Sequence, residues 1–189
     1  MHNEAFYRHQ FRHIPEIRTE RLILRPIRRS DAKAMYAYAK DADVARYVLW
    51  ESHRSLLDTH EAIRDIKRQY RHGWPSSFAI ALAENDQIIG TIGYMWLNSE
   101  NSSAEIGYSL SKQYWNQGYM TEALKAVIDY SFQQLKLHRI EAQHDIRNPA
   151  SGRVMQKAGM VHEGVFHDRL YNKGCYCTVA VFAKINPNE

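Results

Sequence analysis

The sequence predicts a single α+β domain, and three observations lead there. The chain has 189 residues, the length of one domain. Three consecutive alternating segments, 77–83, 88–97 and 103–110, are separated by tight-turn residues, the pattern of an antiparallel meander. Segments of helical periodicity lie before and after that meander, and no repeat or linker divides the chain. The expected organisation is a basic N-terminal arm, residues 1–18, followed by one domain over residues 19–185.

Composition narrows the function classes. Apolar residues make up 44% and charged residues 24%, which is ordinary for a globular chain. With five Pro and nine Gly, the chain is neither collagen-like nor of low complexity. No apolar run approaches the ~18 residues of a spanning helix, so no membrane partner is expected. The opening Met1–His9 lacks the apolar core of a signal peptide, so a cytoplasmic protein is expected. Lys and Arg total 25 against 21 Asp and Glu, a formal +4. That excess is too small to argue for nucleic acid, and no helix-turn-helix or aromatic-and-basic strand motif supports DNA as a partner. Cys175 and Cys177 would share one strand face, a geometry that suits a disulfide poorly, so reduced, buried thiols are expected. His9 and His13 lie four apart with no further ligands near them in sequence, which gives no metal site.

The elements follow in order. In the arm, Phe6, Tyr7, Phe11 and Ile14 are scattered among polar and basic residues, which reads as mobile or loosely docked. Thr19 to Ile27 alternates as a first strand, closed by Pro26. Ser30 reads as an N-cap for a helix over 31–40, with Ala34, Met35 and Tyr38 at helical spacing. A longer helix over 56–72 carries Leu57, Ile63, Ile66 and Tyr70, and Gly73 and Pro75 stop it. The meander comes next. Residues 111–118 are irregular, and from Tyr119 the residues Leu124, Val127, Ile128, Phe132 and Leu135 mark a strong helix. Residues 138–145 alternate again. Asn148-Pro149 opens a short helix with Pro149 at its first position and Gly159 as its cap. Two last strands, 161–170 and 175–184, are joined by the hairpin signal Asn172-Lys173-Gly174.

The strand–loop–helix unit from Glu105 to Phe132 carries the chemistry. A loop that enters a helix through a glycine can aim several backbone N–H groups at one point, where the positive end of the helix dipole joins them. Phosphate is the anion best suited to such a site. Here that glycine is Gly118, in Asn116-Gln117-Gly118-Tyr119-Met120.

The separated motifs have a family resemblance. Ala104-Glu-Ile-Gly-Tyr, Trp115-Asn-Gln-Gly-Tyr-Met-Thr-Glu-Ala, Asn148-Pro-Ala-Ser, Ala158-Gly-Met and Glu163-Gly164 resemble, in order and spacing, the Gcn5-related N-acetyltransferase (GNAT) superfamily. With the opening Thr19-Glu-Arg-Leu-Ile-Leu-Arg-Pro, they resemble its ribosomal-protein N-terminal acetyltransferase branch. The resemblance implies a central mixed, mostly antiparallel sheet. That sheet would be splayed between the fourth and fifth expected strands, 103–110 and 138–145, and flanked by about four helices.

The resemblance also implies acetyl-CoA as co-substrate and no metal. Trp115, Asn116, Gln117, Gly118, Tyr119, Met120 and Thr121 would hold the pyrophosphate. The backbone of Tyr108, Ser109 and Leu110 would lie along the pantetheine arm, with Asn148 opposite, although Asn148 also reads as a plain helix cap. Glu105 stands where some members hold a general base, and could equally orient the acceptor or act through a water. Ser151 would sit near the sulfur. A tyrosine that serves many relatives as acid, seven places after the asparagine, is Met155 here. Gln143 replaces an alternative glutamate, and His138 and His144 share a strand face as other proton carriers.

The acceptor is an amine that the motifs do not name. The α-amine of a protein or peptide N-terminus is the expected acceptor, with a polyamine, an amino-sugar or a metabolite amine as the alternative, and a homodimer through the apolar residues near Phe166 and Tyr171 stays open. A CoA-binding module without turnover is the alternative that Met155 and Met120 keep open.

Overall fold

A computed structural model of the chain describes residues 3–187. Its centre is an eight-stranded sheet. The strands are β1 (Ile17–Arg18), β2 (Leu22–Pro26), β3 (Ser77–Leu82), β4 (Ile88–Asn98), β5 (Ser103–Leu110), β6 (Arg139–Asp145), β7 (Val161–Asn172) and β8 (Cys175–Ile185). Their order is β1-β2-β3-β4-β5-β6-β8-β7. Every neighbouring pair is antiparallel except β5 and β6, which are parallel. The expected meander is therefore present as β3-β4-β5, and the hairpin of the last two strands as β7-β8.

Helices cover both faces of the sheet: α1 (Glu4–Arg12), α2 (Ala32–Ala39), α3 (Ala42–Ala45), α4 (Leu56–His72), α5 (Tyr119–Gln133) and α6 (Pro149–Lys157). Strand alternation sends Leu22, Leu24, Phe78, Ile80 and Leu82 into one core with α1 and α5. Ile27, Ala79 and Ile88 join a second core with α2, α3 and α4. Burial on both faces explains why β3 reads as an almost unbroken apolar run. The bounds of α4 are those the sequence predicts. Ser55 and Asp58 form a reciprocal capping box at its start, and Gly73 closes it at φ +68°.

The structure departs from the sequence reading at several points. Six α-helices are present among the described residues where about four were expected. One of the additions is α1, inside the supposed loose arm. Asn3 caps it by accepting the Phe6 N–H at 3.1 Å. Tyr7 and Phe11, four apart on one face, are buried in the main core, and the Phe11 ring meets Tyr94 edge-on at 5.2 Å. Two apolar anchors in a basic stretch give too short a stripe for periodicity to reveal. Residues 1 and 2 of that arm lie outside the described residues.

The other additional helix is α3, a single turn opened by the Asp41 carboxylate, which accepts the Asp43 N–H at 2.8 Å. Ser30 does not cap α2. It sits in a short 3-10 turn, where the Asp31 carboxylate instead accepts the Arg28 N–H at 2.7 Å and pairs with buried Arg25 at 2.9 Å. Of the two cysteines only Cys177 is buried. Cys175 is exposed, and their sulfurs are 3.9 Å apart, both free.

The docking of α1 is testable. Phe11→Ala should cost about 3–5 kcal/mol, the range for truncating a buried phenylalanine. A urea unfolding midpoint equal to the parent's would show that α1 adds nothing to the core.

Candidate active site

The site begins where the sheet stops pairing. β5 and β6 are matched only from Ser103–Arg139 to Glu105–Glu141. Beyond that point the two strands diverge, as expected for the 103–110 and 138–145 segments. The reason is local twist. The β4–β5 ladder slips between Tyr94 and Trp96, leaving Met95 as a bulge opposite the Glu105–Ile106 step. A bulge bends and over-twists its strand, and here it does so beside the last residue that β5 shares with β6. From Ile106 to Leu110, β5 keeps β4 on one edge and, among the described residues, has no strand on the other.

A helix start faces that open edge. Asn116 and Gly118 both have left-handed φ, +61° and +84°, so the loop curls back on itself as an anion-binding nest does. Glu122 is the first residue whose N–H closes a helical turn, onto the Gly118 carbonyl at 3.0 Å. The N–H groups of Tyr119, Met120 and Thr121 are thus orphan donors at the positive end of a 15-residue helix, and no side chain caps them. The loop's shape is fixed from outside. The Trp115 Nε1–H donates to the Leu110 carbonyl at 2.8 Å, and the Gln117 amide donates to the Gln113 carbonyl at 2.8 Å.

A further brace reaches the loop from the far end of the sequence. The Arg21 guanidinium donates to the Gln117 carbonyl at 3.0 Å and lies over the Tyr119 ring at 4.3 Å. Arg21 is itself held by Glu122, whose carboxylate accepts from the Arg21 backbone N–H (2.9 Å), the Arg21 side chain (2.7 Å) and the Thr19 hydroxyl (2.6 Å). The Thr19–Arg21 motif and the Thr121–Ala123 motif, about a hundred residues apart, are two halves of one clamp. Burial alone would raise the Glu122 pKa. The hydrogen bonds from Thr19 and Arg21 more than offset it and hold the carboxyl below its usual range.

The remaining candidates converge on one cleft of about 1150 Å³. Glu105, Tyr108, Ser109, Leu110, Trp115, Asn116, Gly118, Tyr119, Met120, Thr121, Asn148 and Ser151 all line it. Gln117 does not. It serves the loop through its carbonyl and its amide bond to Gln113. The Glu105 carboxylate accepts from Trp96 Nε1 at 2.8 Å and from the Gln143 amide at 3.1 Å. Gln143 keeps its other atom, Oε1, buried and without a partner. Asn148 precedes α6, yet its side chain makes no capping bond, so the plain-cap reading fails and the carboxamide stays available to the cleft.

Three residues of the site were not legible in the sequence as chemistry. The Tyr108 hydroxyl lies 2.9 Å from Ser151 Oγ and 3.1 Å from the Ser151 carbonyl, and burial pushes its pKa up, so it remains a protonated donor. Trp96 reaches Glu105 only because of the Met95 bulge. His53 lines the opposite wall, its Nδ1 2.8 Å from the Thr59 hydroxyl, and burial lowers its pKa. Met155, in the place of the missing tyrosine, is buried in the core, outside the cleft lining. His144 does line the cleft, with Nδ1 2.8 Å from the Asp145 carbonyl, whereas His138 does not.

Comparison with known proteins bears on the family and the fold. The profile of the acetyltransferase (GNAT) domain matches residues 21–161. The N-acetyltransferase p20 of Bacillus licheniformis is 33% identical over 87% of this chain and 93% of its own. The ribosomal-protein-serine acetyltransferase of Escherichia coli is 28% identical over 70% of this chain and 73% of its own. A solved structure of RimL, a ribosomal L7/L12 α-N-protein acetyltransferase in complex with coenzyme A, superposes with a TM-score of 0.82. It is 20% identical and covers 93% of this chain and 100% of that one, so it bears on the fold alone.

The clamp makes a pH-dependent prediction. A carboxyl whose folded pKa is depressed stabilises the fold above its unfolded pKa, and that stability is lost as pH falls through the folded value. Glu122→Gln should therefore lower the urea midpoint at pH 7, and the deficit should shrink as pH falls below the ordinary carboxylate range. A deficit equal at pH 7 and below that range would mean that the carboxylate's charge is not what stabilises.

Proposed function

The chain is an N-acetyltransferase of the GNAT family, and from that premise we propose that its donor is acetyl-CoA and its acceptor the α-amine of a peptide or protein N-terminus. One observation carries the donor assignment. The unpaired edge of β5 runs directly to the orphan N–H groups of α5. An arm with amides, such as pantetheine, can complete the ladder along Ile106–Leu110, and a pyrophosphate fits the nest at Asn116–Thr121. The free Asn148 carboxamide faces the same arm from the α6 side.

The residues then divide the reaction. The amine nitrogen forms a bond to the thioester carbonyl carbon, the C–S bond breaks, and the amine loses a proton. Glu105, fixed by Trp96 and Gln143, takes that proton directly or through a water. Ser151 donates to the departing sulfur, and Tyr108 backs it by donating to Ser151 Oγ. This pair stands in for the tyrosine that Met155 replaces. It needs little acid strength, since a thiolate of pKa about 8.5 leaves readily.

The acceptor assignment rests on the rest of the cleft. One wall is Ala62, Ile66 and Gln69 of α4, and the other is Leu170, Asn172, Cys177 and Val179 of the β7–β8 hairpin. The hairpin tip reaches the segment after α3 through Asn172 to the Val48 carbonyl (3.2 Å) and Lys173 to the Ala45 carbonyl. An extended chain end suits a groove so bounded, which supports the likeness to the ribosomal-protein-serine acetyltransferase. A polyamine does not suit it. Of Asp41, Asp43 and Glu51 only Asp43 lines the cleft, and Lys112 and Arg46 already pair with it. An α-amine also begins nearer neutrality, with pKa about 7.7–8.0 against 10.4 for lysine.

Acetyl-CoA at ~100 times its Kd should add about 2.7 kcal/mol of stability. Gly118→Val should remove the thermal shift, because a side chain at φ +84° is strained and the nest must distort. Absence of a shift with the parent protein at millimolar acetyl-CoA refutes the donor. Glu105→Gln should lower kcat about 10²-fold with little change in the KM for acetyl-CoA, and Ser151→Ala should cost less. Unchanged turnover in Glu105→Gln would remove the base. Mass spectrometry of reacted peptides decides the acceptor. Acetyl groups on N-termini are expected, and acetylation confined to lysine side chains or to polyamines would overturn the assignment.

A further inference from the structure

The helix α4 has a second working face. At 3.6 residues per turn, His60, Arg64, Lys67 and Arg71 fall within an arc of about 60°. Asp58, Glu61 and Asp65 fall on a separate arc, and Ala62, Ile66 and Gln69 point the opposite way, into the cleft. Apart from Arg68, which lies beside the acidic arc and pairs with Asp65, the charges of the helix are thus segregated by sign. The basic face borders a depression of about 630 Å³, lined by Arg29, His60, Ile63, Arg64, Lys67, Tyr70 and Arg71, with no acid among them. Arg29 enters from the 3-10 turn before α2, so two elements build the rim.

The cations there are largely unspent. Arg64 meets Glu61 at a loose 3.5 Å. Among the described residues Arg29, Lys67 and Arg71 have no ion pair, whereas neighbouring Arg28 is taken by Asp86 and Arg68 by Asp65. The floor differs from the rim: Ile63 and the half-buried Tyr70 ring, flanked by the aliphatic stems of the arginines, give an apolar slot.

We propose that this face of α4 binds the phosphate backbone of single-stranded RNA, with a base lodged in the slot between the arginine stems. Three features select that ligand. The cations recur every three to four residues, about 4–6 Å along the helix, which suits a polymer with a charge on each unit. Arginine predominates, and its planar fork matches phosphate bidentately and stacks on a base face. An acidic peptide would use the charge but would put nothing flat into the slot. The proposal does not rest on the acetyl-transfer reading, because the face lies across α4 from the cleft.

Fluorescence anisotropy of a labelled ten-nucleotide uridine RNA tests it with the full chain. Binding is expected at 50 mM salt. It should weaken toward 200 mM with a log–log slope of about −2 to −3, as three to four neutralised phosphates require. Arg64→Gln/Lys67→Gln/Arg71→Gln should weaken it at least tenfold while keeping the parent's thermal shift with acetyl-CoA. A control, Arg18→Gln/Lys125→Gln/Lys136→Gln, removes equal charge elsewhere and should bind as the parent does. No binding at 50 mM salt overturns the proposal. So does equal loss in both triple variants, which would mean general charge alone. So does an acidic peptide of matching charge that binds as tightly as the RNA and with the same sensitivity to the α4 variant.

Discussion

The divergence of β5 from β6 after Glu105 and Glu141 is the constraint on which the rest of the molecule depends. A sheet that closed its ladder there would satisfy every backbone group internally and leave no place for a ligand arm. The cost of opening is a set of unpaired strand groups, tolerable only where something polar can reach them. Two devices keep the strands apart. The Met95 bulge turns β4 and β5 away on one side. On the other, β6 is tied to β8 over its whole length, from Arg139–Ile185 to Asp145–Val179. The opening is thus a product of twist on one flank and full pairing on the other, and it does not depend on any residue within it.

Around that opening the polar groups are spent or left free in a pattern. In the loop before α5 the Gln117 carbonyl is engaged by Arg21, while the N–H groups of Tyr119, Met120 and Thr121 stay open. Glu122 is occupied by Thr19 and Arg21, which offsets its charge beside the open N–H groups of the helix start. A carboxylate in the first turn favours the helix, and the clamp keeps that effect. Across the cleft, Glu105 is pinned by two donors and Gln143 keeps a buried oxygen without a partner. The carboxylate is thus held in one orientation by its own neighbours.

Charge is distributed with the same economy. A net +4 says little by itself. In the structure, Arg46 and Lys112 near the cleft share Asp43, whereas among the described residues Arg29, Lys67 and Arg71 on the far face of α4 have no ion pair. The two faces of this one helix have different chemistry, one apolar and lining the groove, the other basic and open.

Several elements were legible from the chain alone because their signals are local. Apolar spacing with Gly73 and Pro75 bounded α4, the meander's turns gave β3, β4 and β5, and Gly118 before an amphipathic run marked the start of α5. The N-terminal helix was not legible, because Tyr7 and Phe11 declare themselves only against the core that receives them. Nor was the pairing of Ser151 with Tyr108, of Glu105 with Trp96 and Gln143, or of Arg21 with Glu122. The sequence determined the class of fold and the order of the motifs, since periodicity and backbone freedom are written in neighbouring residues. Which side chains hold one another in that site was decided only by the tertiary structure. Those contacts join residues from nine to about a hundred positions apart, and sheet register, bulge and splay alone bring them within hydrogen-bonding reach.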